Sequence, residues 1–322
     1  MASWFRGSIV ITAVTAAAVS AFITVSMTRT AGQTGGRPAR TADGKPNFGG
    51  VWQALNEAHW DLQAHEARAA MVTQPGIYNY EYARVPAAPV VALGAAAGVP
   101  GSLGVVQGDG QIPYKPETAA LKQQNGENWI DRDPELKCYL SGIPRAMYMP
   151  YPFAIVQGTD KIHMTFAFSN AGRVIHMGKV EGPPDDTYMG HSVGRWEGDT
   201  LVVDVTDFNG KNWFDRAGNY HSDALHLVER YSPISPDAIR YDVTIEDPKV
   251  FARPWTISMP LYRRLEASAT VLDYPCIEFS EEFMYGHLRK EQLVKHWEGE
   301  TMSVDITRKI PPGDRLHDWY RR

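Results

Sequence analysis

Residues 224–247 read ALHLVERYSPISPDAIRYDVTIED, and this stretch decides the fold class. Apolar and polar residues alternate in two runs on either side of a proline-containing turn, which is the pattern of a β-hairpin. Shorter runs of the same kind recur from about residue 151 onward, without helix-length periodic segments between them. The sequence therefore predicts a mainly β fold: an antiparallel barrel, or a two-barrel or sandwich body, with a few peripheral helices.

The composition is that of a folded globular protein. Of the 322 residues, 43 % are hydrophobic and 21 % are charged, and the formal net charge is −5. These values exclude a wholly disordered chain. The mild negative charge and the lack of a basic stripe also argue against a nucleic-acid-binding protein.

The first residues have the pattern of a targeting segment. A single charged residue, Arg6, precedes an uncharged run over residues 9–27, and small residues follow. A secretory signal peptide has this order of regions, but the run is also long enough to cross a bilayer as an N-terminal anchor. Both alternatives predict a periplasmic or secreted body that meets the membrane only through its N-terminal segment.

The composition and the pattern of apolar residues divide the rest of the chain into a linker and one domain. We predict a signal peptide or anchor over residues 1–31, a linker over 32–44, and a single β-rich domain over 45–322. Within that domain, residues 45–129 are predicted to be a mixed helix and loop portion, and residues 130–310 an antiparallel meander.

Two helices are predicted in the mixed portion. Residues 56–71 are rich in Ala, Glu and Gln and end before a Pro-Gly pair, and residues 116–128 begin with a proline. Both features are typical of helix boundaries.

The two cysteines, Cys138 and Cys276, both lie in the exported part. An oxidising compartment allows them to form one disulfide, and two buried free thiols are the alternative. No Cys-x-x-Cys pair is present in the sequence, which argues against a thiolate zinc site.

A sequence echo indicates two similar hairpins. WEGDTLVVDVT at residues 196–206 returns as WEGETMSVDIT at residues 297–307. Each is interpreted as a turn with its outgoing strand, whose alternation places Leu201, Val203 and Val205 on the inward face. If the turn has a three-residue loop, His191 and Asp207 share that inward face and Ser192 points outward.

Glu229 is the most informative polar residue. It shares one face of its predicted strand with Leu227 and Tyr231. An unpaired buried carboxylate is costly, so this side chain must be paired, protonated or next to a cavity. We predict that Glu229 and His191, together with Asp207, are the catalytic acid–base residues. The alternative is a structural pair with an inward arginine or a tyrosine.

The predicted substrate site is the apolar barrel interior and its mouth. Loops at a barrel mouth often carry ligand contacts, and the polar loop over residues 209–222 is such a loop. Arginines at the rim could steady a developing oxyanion. The substrate-binding residues predicted on these grounds are Tyr241, Phe166, Trp213, His221, Arg173 and Arg195.

No cofactor and no metal are predicted. His221, His226 and Glu229 lie close together in the sequence, but alternation puts His226 on the face opposite Glu229. No H-E-x-x-H motif is present in the sequence either.

GHSVG at residues 190–194 matches the nucleophile elbow of serine hydrolases. That elbow needs an apolar strand before the serine and a helix after it. Here polar residues precede the motif and a predicted hairpin follows it. A serine hydrolase that uses Ser192 is therefore kept as an alternative function, not as the main one.

PNFGGVW at residues 46–52 resembles the G-x-W opening of lipocalin-like barrels, in which the tryptophan packs across the barrel floor. The stretch DPELKCYLSGIPRAMYMPYPF (133–153), with GHSVGRWEGDTLVVD (190–204) and TIEDPKVFARPW (244–255), resembles a large family of exported bacterial proteins of unassigned function. This resemblance covers most of residues 45–310. It implies export and a single β-rich body, and it supplies no catalytic residues.

These observations favour an exported β-barrel that binds a hydrophobic or aromatic small molecule. The main hypothesis is a cofactor-independent isomerase, hydratase or lyase. A non-catalytic carrier or sensor of a hydrophobic ligand would use the same pocket and is the first alternative.

Overall fold

The computed structural model describes residues 38–67 and 100–278, and the backbone of residues 294–297 and 300–303. The predicted leader over residues 1–31 lies outside these residues. In the described part of the chain, no helix is both long and apolar enough to cross a membrane.

The mainly β, lipocalin-like prediction is confirmed: nine strands close into one barrel, in which each strand pairs with the next and the last returns to the first. The strands are β1 (Gly50–Ala54), β2 (Phe153–Gln157), β3 (Lys161–Phe166), β4 (Gly172–Met177), β5 (His191–Glu197), β6 (Thr200–Thr206), β7 (His226–Ser235), β8 (Ala238–Glu246) and β9 (Trp255–Arg263).

The barrel is mixed, because β4 and β5 run parallel while the other neighbours are antiparallel. Parallel neighbours need a crossover of about a dozen residues or more. Residues 178–190 supply that crossover, and their polar, proline-containing sequence gave no signal of strand direction.

Side chains fill the barrel interior. Leu201, Val203 and Val205 point inward as predicted and are buried. Trp52 on β1 is also buried, its Nε1 donates to the Phe48 carbonyl oxygen at 2.8 Å, and the Arg263 guanidinium lies 4.3 Å from its ring centroid. The tryptophan of the G-x-W opening is therefore part of the packed core.

The β5–β6 turn corrects the predicted register. Glu197 pairs with Thr200, which leaves a two-residue loop instead of three, and Gly198 takes a φ of +62° that suits a tight hairpin turn. A shift of one residue moves every side chain of a strand to the other face. Consequently Ser192 faces inward, opposite Val205.

The helices are short and lie between β1 and β2. They are α1 (Pro116–Glu127), α2 (Trp129–Arg132) and two 3₁₀ helices, Pro134–Lys137 and Arg145–Met147. The first confirms the helix predicted at residues 116–128.

The helix predicted at residues 56–71 is wrong for the described residues 56–67, which form turns. Asn56 Oδ1 accepts from the Ala58 N–H, and Asp61 Oδ1 accepts from the Gln63 N–H, each at 3.0 Å. Such local bonds compete with helical hydrogen bonds, and this explains the error.

Cys138 and Cys276 form the predicted disulfide. It joins the end of the first 3₁₀ helix to the segment after β9, which also bridges to Phe168 through Tyr274. Disulfides persist in oxidising compartments, so this bond indicates a location outside the cytoplasm.

The second copy of the sequence echo also forms a hairpin, between β10 (Val294–Trp297) and β11 (Glu300–Ser303). Its register differs from that of the first copy. Trp297 pairs with Glu300, whereas Trp196 pairs with Leu201.

Candidate functional site

The predicted catalytic carboxylate, Glu229, lies in the centre of the barrel and is fully buried. Arg173 from β4 donates to both of its carboxylate oxygens. Tyr231 and Tyr241 donate their hydroxyls to Glu229 Oε1 at 3.0 Å and 2.6 Å. Burial is the largest single effect and lowers the pKa of Arg173, but the charge and hydrogen bond of Glu229 together with the two tyrosines outweigh it, so the pKa is raised. Glu229 is therefore paired with an inward arginine and with tyrosines, which is the structural alternative to a catalytic role.

Arg173 was predicted at the rim of the barrel, and this is wrong. Its side chain is buried, and its Nε donates to Ser192 Oγ at 2.9 Å. The void lined by Phe166 and Phe168 measures about 10 Å³, which holds one water molecule at most. Phe166 and Tyr241 are both buried in the hydrophobic core, and the void at Phe166 is too small for an aromatic substrate.

His191 lies on the outer face of the barrel, where it pairs with Thr206, so its inward placement is wrong. Glu229 is inward and pairs with Val203, on the other side of the sheet and three residues along β6. The acid–base pair of Glu229 and His191 therefore does not form. The prediction for His191 is wrong because the β5–β6 loop has two residues and not the three that were assumed.

Two further predicted residues lie outside the barrel interior. Asp207 follows β6 with a φ of +59° and accepts from Thr206 Oγ1 at 3.1 Å. Arg195 is 52 % exposed and pairs with Asp204 and Glu197 on the outer face of the sheet. Neither can contact a ligand held inside the barrel.

Ser192 does not have the surroundings of a hydrolase nucleophile. It was predicted to point outward, but it is buried in the barrel, and its hydroxyl accepts from Arg173. The motif continues into the β5–β6 hairpin and not into a helix. The strained, exposed serine that an elbow requires is therefore missing here.

The other two predicted substrate-binding residues, Trp213 and His221, do come together at an open cleft of about 450 Å³. The cleft lies between the helices and the β6–β7 loop (residues 207–225). Its lining includes Leu121, Arg132, Lys211, Trp213, Tyr220 and His221. The polar sequence of the loop predicts its part in the cleft, but no local pattern links α1 and α2 to that loop, so their side chains could not be predicted.

The β6–β7 loop is held in shape by Asp215, which is fully buried. Its carboxylate accepts from the N–H groups of Ala217 and Asn219 within the loop, from Asn219 Nδ2, and from the N–H of Leu62. Burial and the nearby charge of Asp61 raise the pKa of Asp215 to about 7, against the effect of these donors. Asp215 therefore shapes the loop from within and does not itself line the cleft.

Helix α1 approaches this loop through two glycines. A Cβ on Gly126 would lie 2.5 Å from the Ala217 carbonyl oxygen, and one on Gly218 would lie 2.3 Å from the Gly126 nitrogen. Gly218 also has a φ of +88°, which glycine adopts without strain. This close contact brings the helix side of the cleft against the loop side.

A buried ionic cluster fixes the other end of the cleft. Arg145 donates to both oxygens of Asp133 at 2.8 Å, and Arg216 donates to Glu135 from Nε and Nη2 at 3.1 Å and 2.9 Å. The Arg216 guanidinium also lies 5.5 Å from the ring centroid of Trp129 on α2. These contacts tie the segment that carries Arg132 to the β6–β7 loop.

His221 is only 3 % exposed, with its ring beside Phe208 and Phe214 at centroid distances of 5.7 Å and 5.1 Å. Its Nδ1 lies 2.9 Å from the Ser222 carbonyl oxygen, so Nδ1 carries a proton and donates it there. Burial lowers the pKa of His221, which favours the neutral ring. Nε2 then has a free lone pair, and among the described residues it has no hydrogen-bond partner.

We expect His221→Phe to lower the free energy of unfolding less at pH 5 than at pH 7. The difference between the two pH values is at most about 2 kcal/mol. The unfolded chain takes up a proton on this ring below about pH 6.5, and the folded protein does so less readily, because burial lowers the pKa of His221. The contribution of His221 to stability is therefore present above that pH and is lost as the pH falls. Urea denaturation of both proteins at the two pH values measures this difference.

Asp215 titrates in both proteins and its effect, which has the opposite sign, cancels in the comparison. A difference in unfolding free energy that stays constant between pH 7 and pH 5 would contradict the neutral, buried imidazole.

Comparison with known proteins gives no relative: no protein-family model, no curated protein and no solved structure matches this chain. The resemblance to exported bacterial proteins therefore stays a prediction.

Proposed function

We propose that this protein is an exported small-molecule-binding protein whose ligand site is the cleft beside the β6–β7 loop, not the barrel interior. The observation that carries the proposal is His221, a buried and neutral imidazole with an unpartnered Nε2 at an open cleft. Since Nε2 is not one of the buried side-chain atoms that lack a partner, it is open to the cleft, where it can accept a hydrogen bond from a ligand or from water.

Binding without covalent chemistry, as in a carrier or sensor, is the form of this function that the cleft supports best. Acid–base catalysis normally uses two groups whose pKa values are pushed apart. The described residues that line the cleft include one imidazole and no carboxylate. The Glu229 and His191 pair that suggested an isomerase, hydratase or lyase is not assembled.

Filling the cleft is expected to weaken ligand binding by at least tenfold. Leu121 is 41 % exposed on α1 and lines the cleft, so Leu121→Trp would place an indole in it. Saturation-transfer NMR with a mixture of neutral, cationic and anionic monocyclic aromatic compounds measures the effect. We expect saturable signals from at least one compound with the natural protein and a loss of at least tenfold in affinity with the variant.

The matched control is Leu103→Trp, because Leu103 is 98 % exposed and does not line the cleft. This variant should bind as the natural protein does. The proposal fails if no compound of the mixture binds, or if Leu121→Trp and Leu103→Trp bind equally well.

A further inference from the structure

The cleft carries positive charge, although the protein as a whole has a formal net charge of −5. Arg132 and Lys211 both line it, and no carboxylate is found among its described lining residues. Neither cation forms an ion pair with a described residue, and Arg132 donates only to Asn125 Oδ1, at 3.4 Å. Clefts lined by one sign of charge concentrate ligands of the opposite sign, so this one selects an anion.

Two aromatic side chains form the apolar wall. Trp213 and Tyr220 are neighbours through an antiparallel bridge across the loop. Tyr220 is held in place because its hydroxyl donates to the Thr118 carbonyl oxygen at 3.2 Å and its ring stacks on Tyr114 at 5.9 Å. Rigid aromatic walls favour a planar, apolar ligand body.

The third feature is the acceptor, His221 Nε2. Since Nδ1 already donates to Ser222, the neutral ring can only accept at Nε2. A complementary ligand therefore brings a hydroxyl donor to this position.

We propose that the cleft binds an aromatic carboxylate that also carries a hydroxyl group, as in the phenolic acids. The carboxylate pairs with Arg132 and Lys211, the ring packs against Trp213 and Tyr220, and the hydroxyl donates to His221 Nε2. This inference rests on the proposed function, and it names the ligand class for the same site.

Four small probes of similar shape test the ligand class: 4-hydroxybenzoate, benzoate, 4-hydroxybenzyl alcohol and tyramine. Titrations at low ionic strength should give 4-hydroxybenzoate at least tenfold higher affinity than the neutral alcohol, and tyramine the weakest binding. In the double variant Arg132→Met/Lys211→Met, the ratio between the acid and the alcohol should fall close to one. Lys161→Met, an exposed lysine on β3 that does not line the cleft, is the control and should keep the ratio.

The role of His221 has its own readout. The natural protein should prefer 4-hydroxybenzoate to benzoate by about five- to tenfold, the effect of one hydrogen bond to the imidazole nitrogen. His221→Phe keeps a ring between Phe208 and Phe214 and should remove this preference. If it persists in His221→Phe, the hydroxyl does not bind at Nε2.

The two proposals can fail separately. If the neutral or cationic rings bind in the cleft as tightly as the acids do, the ligand class is wrong and the binding function stands. If none of the aromatic compounds, of any charge, binds the natural protein, the cleft is filled only by water and both proposals fail.

Discussion

Replacing Glu229 with glutamine is expected to destabilise the folded protein by about 3–5 kcal/mol. The change removes the negative charge that faces Arg173 and leaves a guanidinium buried in the barrel without a counter-charge. Two tyrosine hydroxyls converge on the same carboxylate, so the network is closely coupled. Denaturation with urea, followed by circular dichroism, measures the loss.

The partner variant Arg173→Met should cost a similar amount, because it leaves the carboxylate uncompensated. The double variant Arg173→Met/Glu229→Gln removes both charges of this buried pair, and its glutamine still accepts from the tyrosines. We expect it to be more stable than either single variant, which is the reverse of additivity.

The matched control is the pair Arg195 and Asp204 on the outer face of the same sheet. Exposed ion pairs contribute little, so Arg195→Met/Asp204→Asn should change stability by less than about 1 kcal/mol. Equal effects of the inner and outer pairs would contradict the buried network.

Removing the disulfide should also cost a large part of the stability. Cys138 and Cys276 are separated by 138 residues, and a crosslink that closes a loop of this length stabilises by about 5 kcal/mol on the chain-entropy model. We expect Cys138→Ser/Cys276→Ser to lower the denaturation midpoint strongly. A reductant should lower the midpoint of the natural protein to a similar value.

The double-serine variant is the control for the reductant. It has no disulfide to reduce, so the reductant should not change its denaturation midpoint. If the natural protein unfolds at the same midpoint with and without reductant, the disulfide makes no contribution, and the chain-entropy argument fails.

The candidate site shows where local patterns stop being informative. The face of Glu229 could be predicted from its neighbours, because alternation along one strand is a local property. The face of His191 could not, because it depended on whether one turn has two or three residues. Both turn lengths suit a glycine-containing hairpin, so the sequence near Gly198 did not discriminate between them.

The residues of the cleft also could not all be predicted from local sequence patterns, because they are far apart in the chain. Trp213 and His221 were selected because they lie in a polar loop between two predicted strands. Arg132 was missed, since it reaches the cleft through packing of the helices on that loop and not through any sequence motif.

By itself the sequence determined the strand-rich fold, the inward position of Glu229 and the pairing of the only two cysteines. Alternation and burial of apolar side chains are local constraints, and two cysteines allow a single pairing. Only the tertiary structure decided that Arg173 neutralises Glu229, that the barrel is filled, and that His221 faces a cationic cleft. Those contacts join residues far apart in the chain, and their geometry follows from closure of the whole barrel.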